Sequence, residues 1–387
     1  MLAQWNEPRR EVCYHGAHSA EVAAHEGVRP AGPARSELVS HEMMGAVVKT
    51  RAAAGAEWKD VPIPSIGPED ILIEVKAASI CGTDLHIYQW DEWASQRIRI
   101  PQIMGHETAG EVAEVGQEVA SLKVGDYVSV ETHITCGTCY PCRVGRAEVC
   151  SNTKIVGVDT DGSFARYLKL PARCAWKNDR SLPPEIATLQ EPLGNAVDTV
   201  LAEDVSGKTL VVLGSGPVGL LAMGVAKASG AATIFATDVS DYRLGLARLM
   251  GASYAFNPKR DRVVEAILDI TRGDGVDVVI EMSGSPEALS QGFKVLAPGG
   301  RLSLLGLSHG PVRIDLNNEV ILKGARIYGI TGRKIFTTWY KASRLLTSGL
   351  LDLRPLLTHK LPVTQFAMAM DLMMKGECGK IALLPSV

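Results

Sequence analysis

No apolar run in this chain approaches the ~18 residues that a transmembrane helix needs. The first forty residues also lack the uninterrupted apolar stretch of a secretory leader, because Glu7, Arg9, Arg10, Glu11, Glu21 and Glu26 break them up. Charge of one sign is missing too: 40 Lys and Arg stand against 43 Asp and Glu, a formal net charge of −3. Such an evenly mixed chain has no electrostatic footprint for nucleic acid or an anionic membrane. Internal repeats and low-complexity tracts are absent, and 46% hydrophobic residues spread over 387 positions exclude disordered and collagen-like classes. The reading is a soluble, cytoplasmic protein without nucleic-acid or membrane partners. At about 150 residues per domain it has room for two to three domains, and for a core that needs no disulfide staple.

Eight cysteines are present, and four of them fall within fifteen residues. Cys136-Gly-Thr-Cys139-Tyr-Pro-Cys142 followed by Cys150 spells C-x2-C-x2-C-x7-C. In a chain without an export signal, such crowding reads as metal binding. Four thiolates on one short loop suit the closed tetrahedral shell of a structural zinc ion. Cys13, Cys174 and Cys378 are isolated and read as structural or free thiols, and His133, His309 and His359 as structural histidines without evident partners.

Residues 1–42 stand apart. They hold Cys13, His15, His18 and His25 at spacings that match no zinc pattern, and Pro30-Ala-Gly-Pro33 breaks any helix. The expectation is a disordered extension, or a true start at Met43 or Met44. From Met44 to about Val130 the pattern is strand-like, with alternating or apolar segments at Gly45–Thr50, Asp70–Ala78 and Gly110–Val115. This predicts a compact, mostly β domain. Between about Ala196 and Gly332, strands and helices alternate: Leu210–Leu213, Val218–Ala228, Ala232–Thr237, Arg243–Met250, then buried strands at Asp277–Ile280, Leu302–Leu305 and Ile327–Ile330. Alternation of this length predicts an α/β doubly wound parallel sheet. Two amphipathic helices follow, near Thr337–Leu346 and Thr364–Met374, the second expected to pack Met368, Met370, Met373 and Met374 into the core.

Gly214-Ser-Gly216-Pro-Val-Gly219 follows the strand at Leu210–Leu213 and opens a helix. In that context G-x-G-x-x-G supplies a tight turn, close backbone approach to a pyrophosphate, and helix–strand packing. The helix N-terminus adds free N–H groups for phosphate. Asp238 stands nineteen residues beyond Gly219, at the end of the next strand. A carboxylate there accepts from ribose hydroxyls and repels a 2′-phosphate, favouring NAD over NADP, although the nearby Arg243 tempers that preference.

A second candidate metal set lies upstream. Cys81-Gly-Thr83-Asp-Leu-His86 ends one strand, and Gly105-His106-Glu107 begins another. Cys81, His106 and Glu107 are competent zinc ligands, and three protein ligands leave a position open for substrate. Glu191, in Gln190-Glu191-Pro192-Leu-Gly194, is a candidate alternate ligand or proton-relay group. Thr83 and His86 are candidates for carrying a hydroxyl proton to solvent.

These motifs resemble the zinc-dependent medium-chain alcohol dehydrogenase family. Gly105-His106-Glu107-x2-Gly110-x5-Gly116-x2-Val119 reproduces its zinc motif without a gap. The resemblance runs from about Met43 to the C-terminus. It implies a Rossmann-type doubly wound sheet at 196–333, a mostly β GroES-like catalytic domain with a structural zinc loop at 43–195, and a segment at 334–387 that returns to the catalytic domain. It further implies two zinc ions per subunit, NAD lined by Val218, Asp238, Arg243, Leu305-Gly306-Leu307 and Ile330-Thr331, and a homotetramer. The finer match lies in Cys81–Trp93, Glu131–Cys136, Glu191–Val197, Tyr328–Arg333 and Thr338–Tyr340. It implies oxidation of L-threonine to 2-amino-3-oxobutanoate, catabolism toward glycine. A zinc-dependent polyol or secondary-alcohol dehydrogenase (sorbitol or 2,3-butanediol type) is the alternative, and a non-catalytic NAD- or zinc-binding protein a third reading. Arg166 and Thr337 depart from the family pattern, each replacing a glutamate.

Overall fold

A computed structural model describes residues 42–308 and 310–385. Cys13, His15, His18, His25 and His309 lie outside the described residues, as does the expectation placed on residues 1–41. Among the described residues, no helix is long and apolar enough to cross a membrane.

Thr209–Leu213 has a nearly continuous buried run, as expected of a strand covered on both faces. Its side chains sort by parity. Leu210 and Val212 join one apolar cluster with Leu220 and Val225, while Val211 and Leu213 join another with Phe235 and Phe293. This strand sits inside a six-stranded sheet whose order is Tyr254–Phe256, Thr233–Thr237, Thr209–Leu213, Val276–Glu281, Leu296–Leu304, Arg326–Gly329. All five pairings are parallel, which requires the crossover helices that the alternating sequence announced. The last strand was expected to be buried. It lies instead at the sheet edge and is largely exposed, because nothing among the described residues covers its outer side.

The other large sheet is mixed. Asp70–Ser79 is its long central strand, antiparallel to Glu107–Val115 on one side and to Tyr167–Pro171 and Lys380–Leu384 on the other. Leu357–Pro362 pairs parallel with Lys380–Leu384, so the end of the chain is built into the sheet formed by its beginning. The helix before that last strand, Phe366–Lys375, buries Met370 completely but leaves Met368 and Met374 exposed. Met368 and Met370 stand about 200° apart around a helix of 3.6 residues per turn, so one face cannot take all four methionines inward.

Candidate active site

Strand ends and helix starts gather the polar residues. Cys81 follows Asp70–Ser79 and caps the helix Gly82–Gln89, while Glu107 opens the strand Glu107–Val115 directly opposite Ser79. One ligand atom each from Cys81, His106 and Glu107 lies within 4.8 Å of the others. Asp84 Oδ2 accepts from the Cys81 N–H at 2.9 Å, and its other oxygen stands 3.6 Å from His106 Nδ1. That separation is too long for a hydrogen bond, and both atoms are buried without a partner. With Nδ1 turned to the carboxylate, Nε2 is the nitrogen left for a metal, the arrangement by which an outer carboxylate orients a ligating imidazole. Burial opposes protonation of His106, but Asp84 and Cys81 more than offset it and raise its pKa well above the usual range.

Glu107 is fully buried, and both its oxygens accept from Lys380 Nζ, with Ser79 Oγ as a further donor. Burial raises the Glu107 pKa despite the nearby Lys380 ammonium. A carboxylate has about four lone-pair sites, so this bonding leaves capacity for a metal. The ligand set fits zinc: one thiolate, one imidazole, one carboxylate.

Glu191 lies in the first turn of the helix Gln190–Val200 and is buried. It accepts from Thr132 Oγ1 at 2.8 Å and pairs with Arg333 Nη1 at 2.8 Å. Burial pushes its pKa up, and the Arg333 guanidinium beside it more than reverses that. Arg333 is itself fully buried and forks onto Glu131 at 2.7 and 2.6 Å. Trp339 Nε1 donates to the same carboxylate at 2.7 Å, and His133 Nδ1 lies 3.0 Å from it. His133 therefore has a partner, contrary to expectation. Burial alone would raise Glu131, but Arg333 and His133 hold it at about 2. Near the metal ligands, Thr83 Oγ1 is 3.9 Å from Cys81 Sγ, and His86 Nδ1 is 2.5 Å from Asp91 Oδ2.

The four clustered cysteines converge as the spacing implied. Sγ–Sγ separations are 3.5, 3.7 and 3.6 Å for Cys139–Cys142, Cys139–Cys150 and Cys150–Cys136. A tetrahedron with metal–sulfur bonds of ~2.3 Å has edges of about 3.8 Å, so the cluster fits a ZnS4 centre. N–H groups of Thr138 and Cys139 and the Asn152 amide bring the Cys136 thiol down to about 5, whereas burial and the neighbouring thiols push Cys142 up to about 12, so without an ion only part of the cluster is poised as the thiolate a metal needs.

On the parallel sheet, Gly214, Asp238, Leu305 and Ile330 each follow the carboxyl end of a strand, where open α/β sheets hold their ligands. Gly214 has φ +91°, and a Cβ on Gly219 would stand 2.0 Å from Gly214 O, so neither position admits a side chain. Gly216 caps the helix Pro217–Ala228 and has open space where a Cβ would be. Asp238 Oδ2 accepts from Ser215 N at 2.8 Å, which ties the acid to the glycine turn. Arg243 Nε is buried without a partner. Val218 lies in the first turn of that helix, Gly306 packs on Gly284, and Leu307 and Thr331 are exposed. An open turn, a helix N-terminus and an unpaired guanidinium nitrogen fit a dinucleotide.

Sequence reasoning missed Asp84, Lys380, Glu131 and Arg333 as members of this region. Asp84 lay inside the Cys81–His86 motif, whereas Lys380 is 273 residues from Glu107 and carried no signal. Of the departures from the family pattern, Arg166 is exposed over the Tyr167 ring at 5.1 Å, and Thr337 is exposed at the start of the helix Thr337–Thr347.

Residues 217–348 match the zinc-binding dehydrogenase family, and residues 67–180 match the alcohol dehydrogenase GroES-like domain. The chain is 56% identical to the L-threonine 3-dehydrogenase of Pyrococcus abyssi over 344 residues, 89% of this chain and 99% of that one. Among solved structures, 2R,3R-butanediol dehydrogenase from Bacillus subtilis is similar with a TM-score of 0.80 at 28% identity, covering 89% of this chain and 100% of that one. An alcohol dehydrogenase from E. coli CFT073 complexed with NADH superposes with a TM-score of 0.81 at 27% identity, covering 88% and 99%. The gathered ligand sets, the glycine turn and these matches agree, and the chain belongs to the zinc-binding, medium-chain alcohol dehydrogenase family.

Proposed function

We propose that this protein oxidises the β-hydroxyl of L-threonine to 2-amino-3-oxobutanoate with NAD as hydride acceptor. The observation that carries the reading is the convergence of Cys81, His106 and Glu107 in a chain more than half identical to an enzyme of that name across its length. When bound, a zinc ion held by these three residues supplies a Lewis acid that eases loss of the hydroxyl proton, and NAD supplies the redox chemistry. Thr83 stands beside Cys81 to take the hydroxyl hydrogen bond, and His86, half-exposed, accepts the proton and releases it to water. Glu191 is oriented by Thr132 and Arg333 as a further ligand or relay group. Asp238 and Arg243, with Gly214, Gly216, Val218, Gly219, Leu305–Leu307 and Ile330–Thr331, form the NAD crevice. Cys136, Cys139, Cys142 and Cys150 hold a second, structural zinc.

The helix Gln190–Val200, which carries Glu191, packs on the helix that opens at Gly216 through Leu193, Val197, Leu220 and Leu221. The metal side and the cofactor side therefore share one rigid helix pair. The exposed edge strand Arg326–Gly329 and the exposed Leu316, Ile321 and Leu322 beside it support self-association, read here as a homotetramer in the cytoplasm.

The test is NADH formation with L-threonine, D-threonine, sorbitol and 2,3-butanediol, with and without a chelator. Chelator-sensitive preference for L-threonine is expected. Preference for a diol would move the protein to a polyol-oxidising role with the same apparatus, and silence on all four with zinc bound would overturn catalysis.

A further inference from the structure

We propose that Asp91 is a positioning residue for the proton path, holding the His86 ring so that Nε2 is its only acceptor. The inference rests on the reading of His86 as the group that takes the proton.

The local chain is folded to bring these two side chains together. The helix Gly82–Gln89 ends at Trp90, whose φ of 58° and ψ of 49° are left-handed, and whose N–H returns to His86 O. That single residue reverses the chain. Asp91 then points back along the helix, and its Oδ2 lies 2.5 Å from His86 Nδ1. A bulky residue rarely adopts this conformation, and it persists only where its surroundings dictate it. Here Lys49 Nζ sits 5.1 Å from the Trp90 ring centroid and donates to Gly55 O and Tyr88 O, clamping the turn.

The second Asp91 oxygen accepts from Ala94 N at 2.9 Å and so caps the helix Glu92–Arg97. Arg97 at the far end of that helix forks onto Asp159 at 2.9 and 2.7 Å. Trp93 presents an edge-on ring 6.1 Å from His86. The imidazole is thus held from two directions by one short helix fixed at both ends.

An ionised carboxylate only accepts hydrogen bonds, so Nδ1 must carry the hydrogen, and the neutral ring is left with its lone pair on Nε2. The hydroxyl proton is taken at Nε2, giving an imidazolium whose charge Asp91 offsets. Nε2 then returns that proton to water while the Nδ1 hydrogen stays in place. Asp91 touches no substrate in this scheme and acts through His86 alone.

The competing role for Asp91 is a helix cap and nothing more. Serine caps a helix as well as aspartate but is too short to reach Nδ1. The experiment compares Asp91→Ser, Asp91→Asn, His86→Ala and the His86→Ala/Asp91→Ser double variant in the full-length, zinc-loaded enzyme. It reads kcat, KM for L-threonine and NAD, thermal midpoint, and the His86 tautomer by nitrogen NMR. Expected for Asp91→Ser is an unchanged thermal midpoint and NAD KM, a kcat lowered about tenfold, part of the 10²–10⁴ that proton transfer contributes, and loss of the single tautomer. The double variant is expected to be no slower than His86→Ala, and Asp91→Asn to recover part of the loss. Full kcat in Asp91→Ser beside an impaired His86→Ala overturns the role of Asp91 alone. A double variant slower than His86→Ala places its action elsewhere. Full kcat in His86→Ala removes the proton-acceptor reading itself, and the inference with it.

Discussion

At the scale of single residues, the candidate site separates ligands from their supports. Cys81→Ser removes a ligand from a set of three while leaving the four-cysteine cluster intact. The expected result is half the zinc per subunit by elemental analysis, loss of turnover, and an unchanged circular dichroism spectrum. Asp238 has a double duty, since its carboxylate also ties the glycine turn through Ser215 N and the following helix through Ser240 N. Asp238→Ala is expected to raise KM for NAD about tenfold or more, the size of one lost charge-assisted hydrogen bond, while KM for NADP changes less. An unchanged ratio of the two would remove Asp238 from ribose recognition. The candidate ligands were legible because metal chemistry restricts which residue types, at which spacings, can bind, and the fold brings those residues together. Their supports were not. Lys380 serves Glu107 only because a strand from the end of the chain pairs with Asp70–Ser79, and no local pattern encodes that juxtaposition.

At the scale of elements, Glu131 joins parts of the chain that sequence places far apart. It receives Arg333 and Trp339 from beyond the parallel sheet, and His133 from the segment entering the cysteine loop. Its carboxyl is held at about 2 in the fold, below the ordinary glutamate value. A group depressed in this way contributes stability above its unfolded pKa, and that stability is lost as pH falls from about 5 toward 2. The size is about 3 kcal/mol. Glu131→Gln is expected to flatten this dependence. It is also expected to destabilise the protein near neutrality by about 3–5 kcal/mol, because Arg333 then keeps only Glu191 as counter-charge. Denaturant unfolding at several pH values checks both effects. The strands and helices around this carboxylate were readable from hydrophobic periodicity. The interior strands gave continuous apolar runs, whereas Arg326–Gly329 gave the same signal from an exposed edge, since periodicity reports apolar character and not what covers it.

At the scale of the whole molecule, that edge leaves one side of a six-stranded sheet unpaired among the described residues. Leu316, Ile321 and Leu322 are exposed in the segment that leads into it, and the proposed self-association assigns them to the interface. On that proposal, Leu322→Asp is expected to give smaller species than the parent in sedimentation experiments. A sedimentation pattern identical to the parent's would place the interface elsewhere. A different consequence follows from the returning C-terminal strand. Glu107 is made early, and Lys380, its buried counter-cation, comes 273 residues later. Without the Lys380 ammonium, the group of Cys81, His106 and Glu107 would carry one more net negative charge than it does in the fold. The charge that a cation meets at that group is therefore set in part by a strand far along the chain, Lys380–Leu384.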